Sequence, residues 1–233
     1  MCELDKHTQA VLELTARIDD GKTRKVIGIA GPPGSGKSTL SARVVAFLNT
    51  GADGPDHAAL VPMDGFHLDN SVLDARGLRA VKGAPDTFDV AGFVALVRQI
   101  RTGGADIGYP VFDRVHDRTI AQAGCLRAMT RLVVVEGNYL LLRQGGWAAL
   151  KGLFDATVMI APPVEVLESR LIDRWIGHGL SRADALRRAR GNDLANARLV
   201  MNDSAPADLL LSGGAAARPG ASQAGAMPCG STG

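Results

Sequence analysis

Short apolar runs alternate along the chain with segments in which apolar residues recur every three or four positions. The short runs predict strands at 25–30, 58–63, 131–135 and 156–160, and a last, edge strand at 208–211. The three- and four-residue spacing predicts amphipathic helices at 5–20, 38–48, 90–100 and 164–175. Because strands and helical segments alternate, we predict βαβ units and a parallel sheet.

Boundary residues refine this pattern. Asp89 directly precedes an apolar helical series and is expected to cap that helix. The stretch 177–182 interrupts the helical pattern, and Ser181 is expected to cap the helix that follows. Residues 65–86 contain Gly and Pro and predict a loop with a short helix. Residues 212–233 are mostly Gly, Ala, Ser and Pro, which predicts a disordered tail.

Length and composition limit the classes of function. A chain of 233 residues suggests one large domain, or one with a small lid. The formal net charge of +2 does not indicate a nucleic-acid partner, and no apolar run reaches the roughly 18 residues of a membrane span. The cysteines lie far apart without metal-ligand spacing, which predicts free thiols in a reducing cytoplasm. They are Cys2, Cys125 and Cys229.

The sequence GPPGSGKS fits the phosphate-binding motif G-x-x-x-x-G-K-[ST], with a predicted strand before it and a predicted helix after it. In such a loop, backbone N–H groups surround phosphate oxygens and the helix N-terminus adds a positive dipole end. Lys37 is expected to reach the β- and γ-phosphates, and the Ser38 hydroxyl to hold Mg²⁺. The alternative is a Gly-rich turn that matches by chance. The predicted nucleotide-binding residues are Gly31, Pro32, Pro33, Gly34, Ser35, Gly36, Lys37, Ser38 and Thr39.

Two acidic residues at the ends of apolar strands are further candidates. Glu136 ends the run VVVE, which favours a carboxylate linked to Mg²⁺; alternatively it is a strand-end residue in a Glu-Gly turn. Asp64 follows the second strand. If that strand neighbours the phosphate-loop strand, Asp64 faces the same crevice as the phosphate loop. It is then the residue best placed to accept the proton of an acceptor hydroxyl. Asp-Gly is also common turn chemistry, and His67 is either a substrate contact or a solvated loop side chain.

Arginines are concentrated between residues 165 and 200. Arg170 and Arg174 are four residues apart, which places both on one helix face just before the Gly177-His178-Gly179 break. We expect them to neutralise charge on the γ-phosphate, with Gly177 and Gly179 as hinges that close the helices over a nucleotide. The alternative is two solvated helix faces with acidic partners.

Together these stretches resemble the P-loop small-molecule kinases, the group of uridine kinase, phosphoribulokinase and bacterial type I pantothenate kinase. The matching sequences cover about residues 25–200 and read AGPPGSGKSTL, PMDGFHLDN, YPVFDRVHDR, VVVEGNYLL and RLIDRWIGHG. Within the group, MDGFHLDN and the later VKGAPDTFD are most similar to proteins labelled nucleoside/nucleotide kinase family or fructose-transport-system kinase.

The resemblance implies an α/β fold, a three-layer αβα sandwich around a five-stranded parallel sheet of order 2-3-1-4-5. It implies one domain over 1–211 with a helical lid at about 168–198. It also implies ATP and Mg²⁺ as cofactors, Asp64 as catalytic base, Glu136 near Mg²⁺, and Lys37 and the lid arginines on the phosphates. In relatives the stretch YPVFDRVHDR lines the acceptor pocket; read without them, it is a polar loop with two Asp–Arg pairs. The implied acceptor contacts are Asp64, His67, Tyr109, Asp113, Arg114, His116 and Arg118.

The expected activity is transfer of the γ-phosphate of ATP to a hydroxyl of a small molecule, such as a nucleoside, a sugar or a pantothenate-like compound. The resemblance also allows a homodimer, while charge, hydropathy and cysteine spacing predict a cytoplasmic protein with no membrane or nucleic-acid partner. Asp-Gly-Phe-His at 64–67 replaces the Asp-Ser-Phe-Tyr of uridine kinase-like chains, which argues against uridine specificity. The alternative function is an ATP-binding regulatory protein or ATPase without a small-molecule acceptor. A GTPase is not indicated, because the chain lacks an Asn-Lys-x-Asp motif.

Overall fold

The computed structural model describes residues 1–51, 54 and 56–212. The strands are β1 (Lys25–Ala30), β2 (Ala58–Pro62), β3 (Ile107–Asp113), β4 (Arg118–Leu126), β5 (Leu132–Gly137), β6 (Ala156–Ile160) and β7 (Leu209–Leu211). The α-helices are α1 (Glu3–Ile18), α2 (Lys37–Leu48), α3 (Asn70–Ala75), α4 (Val90–Thr102), α5 (Val164–Gly177), α6 (Arg182–Arg188) and α7 (Leu194–Asp203).

Five of the strands form one parallel sheet in the order β2-β5-β1-β6-β7. Numbered along the chain within that sheet, this order is 2-3-1-4-5, so the predicted fold and strand order are confirmed. The strand β7 lies at one edge and pairs only with β6 among the described residues. All six residues of β5 are buried, as expected for a strand with a neighbour on each side.

Helical layers cover both faces of the sheet, because alternate side chains of each strand point in opposite directions. Val133 and Val135 join the core under α4, whereas Val134 between them joins the core under α1 and α2. A separate small core holds the lid helices together; its buried members are Leu167, Leu171, Ala189, Leu194 and Ala197. Helices thus stabilise the sheet from both faces, and a site can form at the edge where the carboxyl ends of the parallel strands lie.

Two predicted helix starts are confirmed by their capping contacts. The Asp89 carboxylate accepts a hydrogen bond from Gly92 N at 2.9 Å at the start of α4. The Ser181 hydroxyl accepts from Asp184 N at 3.2 Å at the start of α6, after α5 has ended at Gly177.

Besides α7, the β3–β4 hairpin is an element that the sequence patterns did not predict. It is a separate antiparallel pair, and a register shift separates Tyr109 from Val111, on either side of Pro110. It packs on the 3₁₀ turn Met63–Phe66 that follows β2. The predicted tail lies, apart from Ser212, outside the described residues. Among the described helices, none combines the length and the apolar content that crossing a membrane requires.

Candidate active site

The phosphate loop connects β1 to α2 and requires glycine at several positions. Gly34 and Gly36 have φ angles of +79° and +91°, in the left-handed region that favours glycine. A Cβ on Gly31 would lie 2.7 Å from the Ser35 hydroxyl oxygen and 3.0 Å from the Ile160 carbonyl oxygen. The loop backbone at Gly31 therefore packs closely against Ser35 and Ile160, and the loop leads directly into α2. A loop that ends at a helix N-terminus in this way can bind phosphate oxygens.

A hydroxyl and a carboxylate meet where β1 and β5 end. The Ser38 Oγ lies 3.2 Å from each carboxylate oxygen of Glu136, which is 4% exposed. Burial raises the pKa of Glu136, while the nearby Lys37 ammonium and the Ser38 hydrogen bond lower it. Burial likewise lowers the pKa of Lys37, against the opposing effect of Glu136 and Asp64. These four side chains therefore share one electrostatic environment.

Asp64 follows β2 and belongs to this environment, although β2 is not adjacent to β1 in the sheet. The strand β5 lies between β1 and β2, so the second strand does not neighbour the phosphate-loop strand. Because all three strands are parallel, their carboxyl ends still open on the same edge. Asp64 lies in the 3₁₀ turn Met63–Phe66 and forms an ion pair with Arg114 of the β3–β4 hairpin.

The His67 ring lies between two aromatic rings and beside the backbone carbonyl of Asp64. Its ring centroid lies 4.2 Å from that of Phe88 and 4.5 Å from that of Phe112. Its Nδ1 is 2.8 Å from the Asp64 carbonyl oxygen, and since a carbonyl only accepts, Nδ1 carries the hydrogen. Burial lowers the pKa of His67, so the ring is neutral near pH 7 and Nε2 is an acceptor.

The other predicted acceptor contacts lie on the hairpin with different surroundings. The Tyr109 side chain is buried, and its hydroxyl donates to the Leu60 carbonyl at 3.0 Å. Asp113 accepts from the backbone N–H and the Nδ1 of His116, at 3.1 Å and 2.6 Å, and so shapes the turn. Arg118 begins β4 and is exposed. The hairpin thus combines a buried anchor with polar side chains at its turn.

The two lid arginines lie on α5 but face different parts of the site. Arg170 Nη1 donates to the carbonyl oxygens of Gly34 and Ser35, at 3.4 Å and 3.3 Å. Arg174 Nη2 lies 3.6 Å from Asp193 Oδ1, and its charge contributes to lowering the pKa of Lys37. One arginine therefore contacts the phosphate loop itself, while the other is paired within the lid and still acts on the phosphate-loop lysine.

A cluster around Lys82 connects the hairpin to the lid, and sequence reasoning did not find it. Lys82 Nζ donates to Asn70 Oδ1 and Asp117 Oδ1, both at 2.7 Å, and lies 5.0 Å from the Phe112 ring centroid. Its carbonyl accepts from Asn192 Nδ2 of the lid at 2.9 Å. These partners are spread along the chain with no regular spacing, so no sequence pattern relates them.

Sequence comparisons identify several relatives over most of the chain, although no protein-family model matches it. The chain is 36% identical, over 90% of its length and 87% of the relative's, to the uncharacterized protein YggC of Escherichia coli K12. It is 32% identical, over 90% of its length and 86% of the relative's, to a Schizosaccharomyces pombe protein named "Putative uridine kinase C227.14". It is 29% identical to pantothenate kinase of Serratia proteamaculans, over 72% of this chain and 55% of that enzyme.

Solved structures show the same architecture. A protein of Silicibacter sp. TM1040, named "putative fructose transport system kinase", superposes with a TM-score of 0.80 and 40% sequence identity. The match covers 92% of this chain and all (100%) of that one. YFH7 of Saccharomyces cerevisiae gives a TM-score of 0.76 at 21% identity, with 91% of this chain and 98% of that one covered, and it shows the fold alone.

Proposed function

This chain belongs to the P-loop small-molecule kinase family, and on that premise we propose how its residues transfer the γ-phosphate of ATP to a hydroxyl of a small molecule. The observation that carries the proposal is the meeting of Lys37, Ser38, Asp64 and Glu136 at one sheet edge. They come from three strand ends, and the Ser38–Glu136 contact spans 98 residues of sequence. A regulatory nucleotide switch would not need a carboxylate placed to accept a proton, and the relatives do not favour that alternative.

Positive charge for the nucleotide phosphates would come from Lys37 and the two lid arginines. Lys37 begins α2, so its ammonium and the helix N-terminus would act on the same phosphate oxygens. Arg170 already lies against the loop, and Arg174 would have to exchange its contact with Asp193 for a phosphate oxygen. Phosphoryl transfer spreads negative charge over the γ-phosphate, so each of these cations would stabilise the transition state.

The chemistry of Ser38 and Glu136 fits Mg²⁺. Mg²⁺ prefers oxygen ligands, keeps several waters and is bound through one or two protein groups together with substrate phosphates. The Ser38 hydroxyl and the buried Glu136 carboxylate provide such oxygens beside the phosphate loop. When bound, the ion would neutralise charge on the β- and γ-phosphate oxygens. Holding the ion also explains why a carboxylate is kept at a buried position that raises its pKa.

Asp64 would accept the proton of the acceptor hydroxyl. The hydroxyl oxygen would form its new bond to the γ-phosphorus as the bond from phosphorus to the β,γ-bridging oxygen breaks, which leaves ADP. The proton would move to an Asp64 carboxylate oxygen, whose present partner is the Arg114 guanidinium. Arg114 would then contact the acceptor or the transferred phosphoryl group.

The acceptor would lie between Asp64 and the turn of the hairpin. Arg114, His116 and Arg118 are exposed there and can donate hydrogen bonds to a polar, hydroxylated molecule. Such a lining supports a nucleoside, a sugar or a pantothenate-like compound as the acceptor class. A homodimer, as a prediction from the family, and a cytoplasmic location, as a prediction from the spacing of the cysteines, belong to the same proposal.

The experiment is ATP turnover to ADP in the presence of Mg²⁺ across a panel of hydroxyl acceptors. The panel contains nucleosides, pantothenate, fructose and other sugars, sugar phosphates and glycerate. We expect one acceptor to raise turnover far above the acceptor-free rate and to give a product heavier by one phosphoryl group in mass spectrometry. ATP binding without stimulation by any member of the panel would count against a small-molecule acceptor of these classes.

A further inference from the structure

The lid contains a buried carboxylate to which the proposed transfer chemistry gives no role of its own. Asp193 is 7% exposed, and its Oδ1 lies 3.6 Å from Arg174 Nη2. Its Oδ2 accepts a hydrogen bond from Trp175 Nε1 at 2.6 Å. The guanidinium carbon of Arg174 also lies 5.2 Å from the centroid of the Trp175 ring. In the absence of a nucleotide, Arg174 therefore lies against a carboxylate and an aromatic ring of the lid itself, which we call its resting position.

We propose that Asp193 is a positioning residue that holds Arg174 in this resting position, and that the γ-phosphate of a bound nucleotide takes its place as the partner of the arginine. The inference rests on the proposed function, since it takes nucleotide binding at the phosphate loop as given. It adds a regulation to that site. A nucleoside triphosphate releases Arg174 from Asp193, whereas a nucleoside diphosphate, which has no γ-phosphate, leaves the arginine in its resting position.

Arg174 lies close enough to the phosphate loop for this exchange. It follows Arg170 by one turn of α5, and Arg170 donates to the carbonyl oxygens of Gly34 and Ser35. Burial lowers the pKa of Lys37, and the charge of Arg174 is one of the smaller contributions in the same direction. The arginine in its resting position thus already acts on the lysine that would contact the phosphates.

The contact between Arg174 and Asp193 is loose enough to be exchanged. Its 3.6 Å separation exceeds the roughly 2.7–2.9 Å of a charge-assisted hydrogen bond, and the Arg174 side chain is 39% exposed. A γ-phosphate offers several acceptor oxygens, and a planar guanidinium can bind two of them at once. The phosphate is therefore the stronger of the two partners.

Asp193 itself is fixed, so the arginine is the side that moves. Asp193 ends the π-helical turn Ala189–Asp193, which lies between α6 and α7. The neighbouring Asn192 Nδ2 donates to the Lys82 carbonyl at 2.9 Å, and the buried Asn196 donates to Asn192 Oδ1 at 3.2 Å. Turns of this kind insert an extra residue into a helix and are frequent at functional sites.

The resting position keeps partners for Asp193 after the arginine leaves. A buried carboxylate that lost every partner would be strongly destabilising. Here the Trp175 N–H still donates to Asp193, and the guanidinium carbon of Arg188 lies 4.6 Å from the centroid of the same indole ring. The exchange therefore leaves Asp193 with a hydrogen bond and with a cation on the ring beside it.

Trp175 reports the position of Arg174, because its N–H and its ring both belong to the resting position. The test labels the full chain with fluorotryptophan and records fluorine NMR spectra. Trp147 is the only other tryptophan of the sequence and is 3% exposed in the core under α4, so it serves as the internal reference. Spectra are compared without ligand, with Mg²⁺-ADP and with Mg²⁺-AMP-PNP, a non-hydrolysable ATP analogue, each at ten times the Kd found by calorimetry.

We expect AMP-PNP to shift the Trp175 resonance, ADP to leave it in place, and Trp147 to stay unshifted with both. An equal shift of Trp175 by both nucleotides, or no shift with saturating AMP-PNP, overturns the assignment. This measurement needs no variant, so it decides the question even where a substitution prevents folding. A shift by AMP-PNP alone with no acceptor phosphorylated would refute the proposed acceptor chemistry and leave this inference standing.

A substitution at Asp193 provides the second measurement. Asp193→Asn keeps an oxygen for the indole N–H and removes the charge that holds Arg174. It should lower the Kd for AMP-PNP about fivefold, the upper value for a partly exposed ion pair, and change the Kd for ADP by less than about twofold. Glu168→Gln is the matched control, because it removes a lid carboxylate that pairs with Arg190 instead. An Asp193→Asn protein that binds AMP-PNP as the parent does, or binds both nucleotides more weakly, contradicts the proposal.

An Arg174→Met background shows whether the effect of Asp193 passes through the arginine. Met keeps a long unbranched side chain and removes the charge. In this background Asp193→Asn should leave the Kd for AMP-PNP within about twofold, because the cation that it would release is gone. A fivefold gain in affinity that persists without Arg174 would show that Asp193 acts on the nucleotide by another route, and would overturn its assignment as a positioning residue for this arginine.

Discussion

Arg114 in the turn of the β3–β4 hairpin forms an ion pair with Asp64 at the end of β2, across 50 residues of sequence. The Asp64 side chain is 23% exposed and that of Arg114 is 65% exposed. A pair whose cation is largely solvated adds little to stability, so its partner can be exchanged for a ligand. Under the proposed function, the Asp64 carboxylate would exchange this partner for the hydroxyl group of the acceptor.

Asp64→Asn should leave the Kd for ATP within about twofold and lower kcat about 10²- to 10⁴-fold, because the amide has the same shape but cannot take the proton. Calorimetry gives the binding and a coupled ADP assay gives the turnover. Asp74→Asn, at an exposed position on α3, is the matched control and should behave as the parent does. Normal turnover by Asp64→Asn would show that another group is the base.

Lys37→Ala should weaken ATP binding and lower kcat together, by a combined loss of about 10²-fold or more in kcat/KM. The ammonium would act on phosphate oxygens in both the ground state and the transition state. It also lowers the pKa of Glu136, so its loss should raise the pKa of that carboxyl group further. Lys22→Ala, at an exposed position before β1, serves as the control. An unchanged KM for ATP would contradict a phosphate contact.

Glu136→Gln should raise the Mg²⁺ concentration needed for half-maximal turnover by about 10- to 100-fold, because an amide oxygen is a weaker ligand than a carboxylate. A titration of turnover with Mg²⁺ at saturating ATP measures this. Glu13→Gln on α1 carries the same change at an exposed site. The metal assignment fails if the two variants give the same Mg²⁺ dependence.

Gly65→Ala should destabilise the protein by about 1–3 kcal/mol and displace the hairpin from Asp64. A Cβ at this position would lie 2.0 Å from the Pro110 carbonyl oxygen and 2.6 Å from its carbon, and backbone atoms cannot turn away. Urea unfolding measures the free energy of unfolding. Gly191→Ala is the control, since its Cβ would have open space around it. Equal stability of the two variants would mean that the hairpin does not pack on the turn this closely.

His67 makes stability depend on pH. Burial lowers its pKa in the folded state, so below the unfolded value of about 6.5 the unfolded chain binds more protons and stability falls. The parent should therefore lose free energy of unfolding between pH 7.5 and 5.5 relative to His67→Asn, by at most about 1.4 kcal/mol per pH unit below 6.5. Asn keeps a donor for the Asp64 carbonyl. A difference between the two proteins that does not change with pH would contradict a buried neutral imidazole.

The hairpin shows why part of the fold was not predictable from sequence. Most of β4 is exposed, so no buried face leaves an alternating pattern, and the pairing register of β3 with β4 shifts at Pro110. Its pairing depends on packing against the turn after β2. The sequence of this stretch also allowed two local Asp–Arg pairs. In the structure the partners lie farther away in sequence: Arg114 pairs with Asp64, and Asp117 pairs with Lys82.

What the sequence determined by itself is the set of features that rest on local chemistry. Buried strands require apolar runs, Asp89 and Ser181 can cap helices wherever they stand, and the phosphate loop needs its glycines for backbone conformation alone. The tertiary structure decided which distant residues meet. The exchangeable partner of Asp64 and the cluster around Lys82 both depend on packing between segments far apart in sequence. Such contacts are set by the shape and burial of the whole core, and no local pattern carries them.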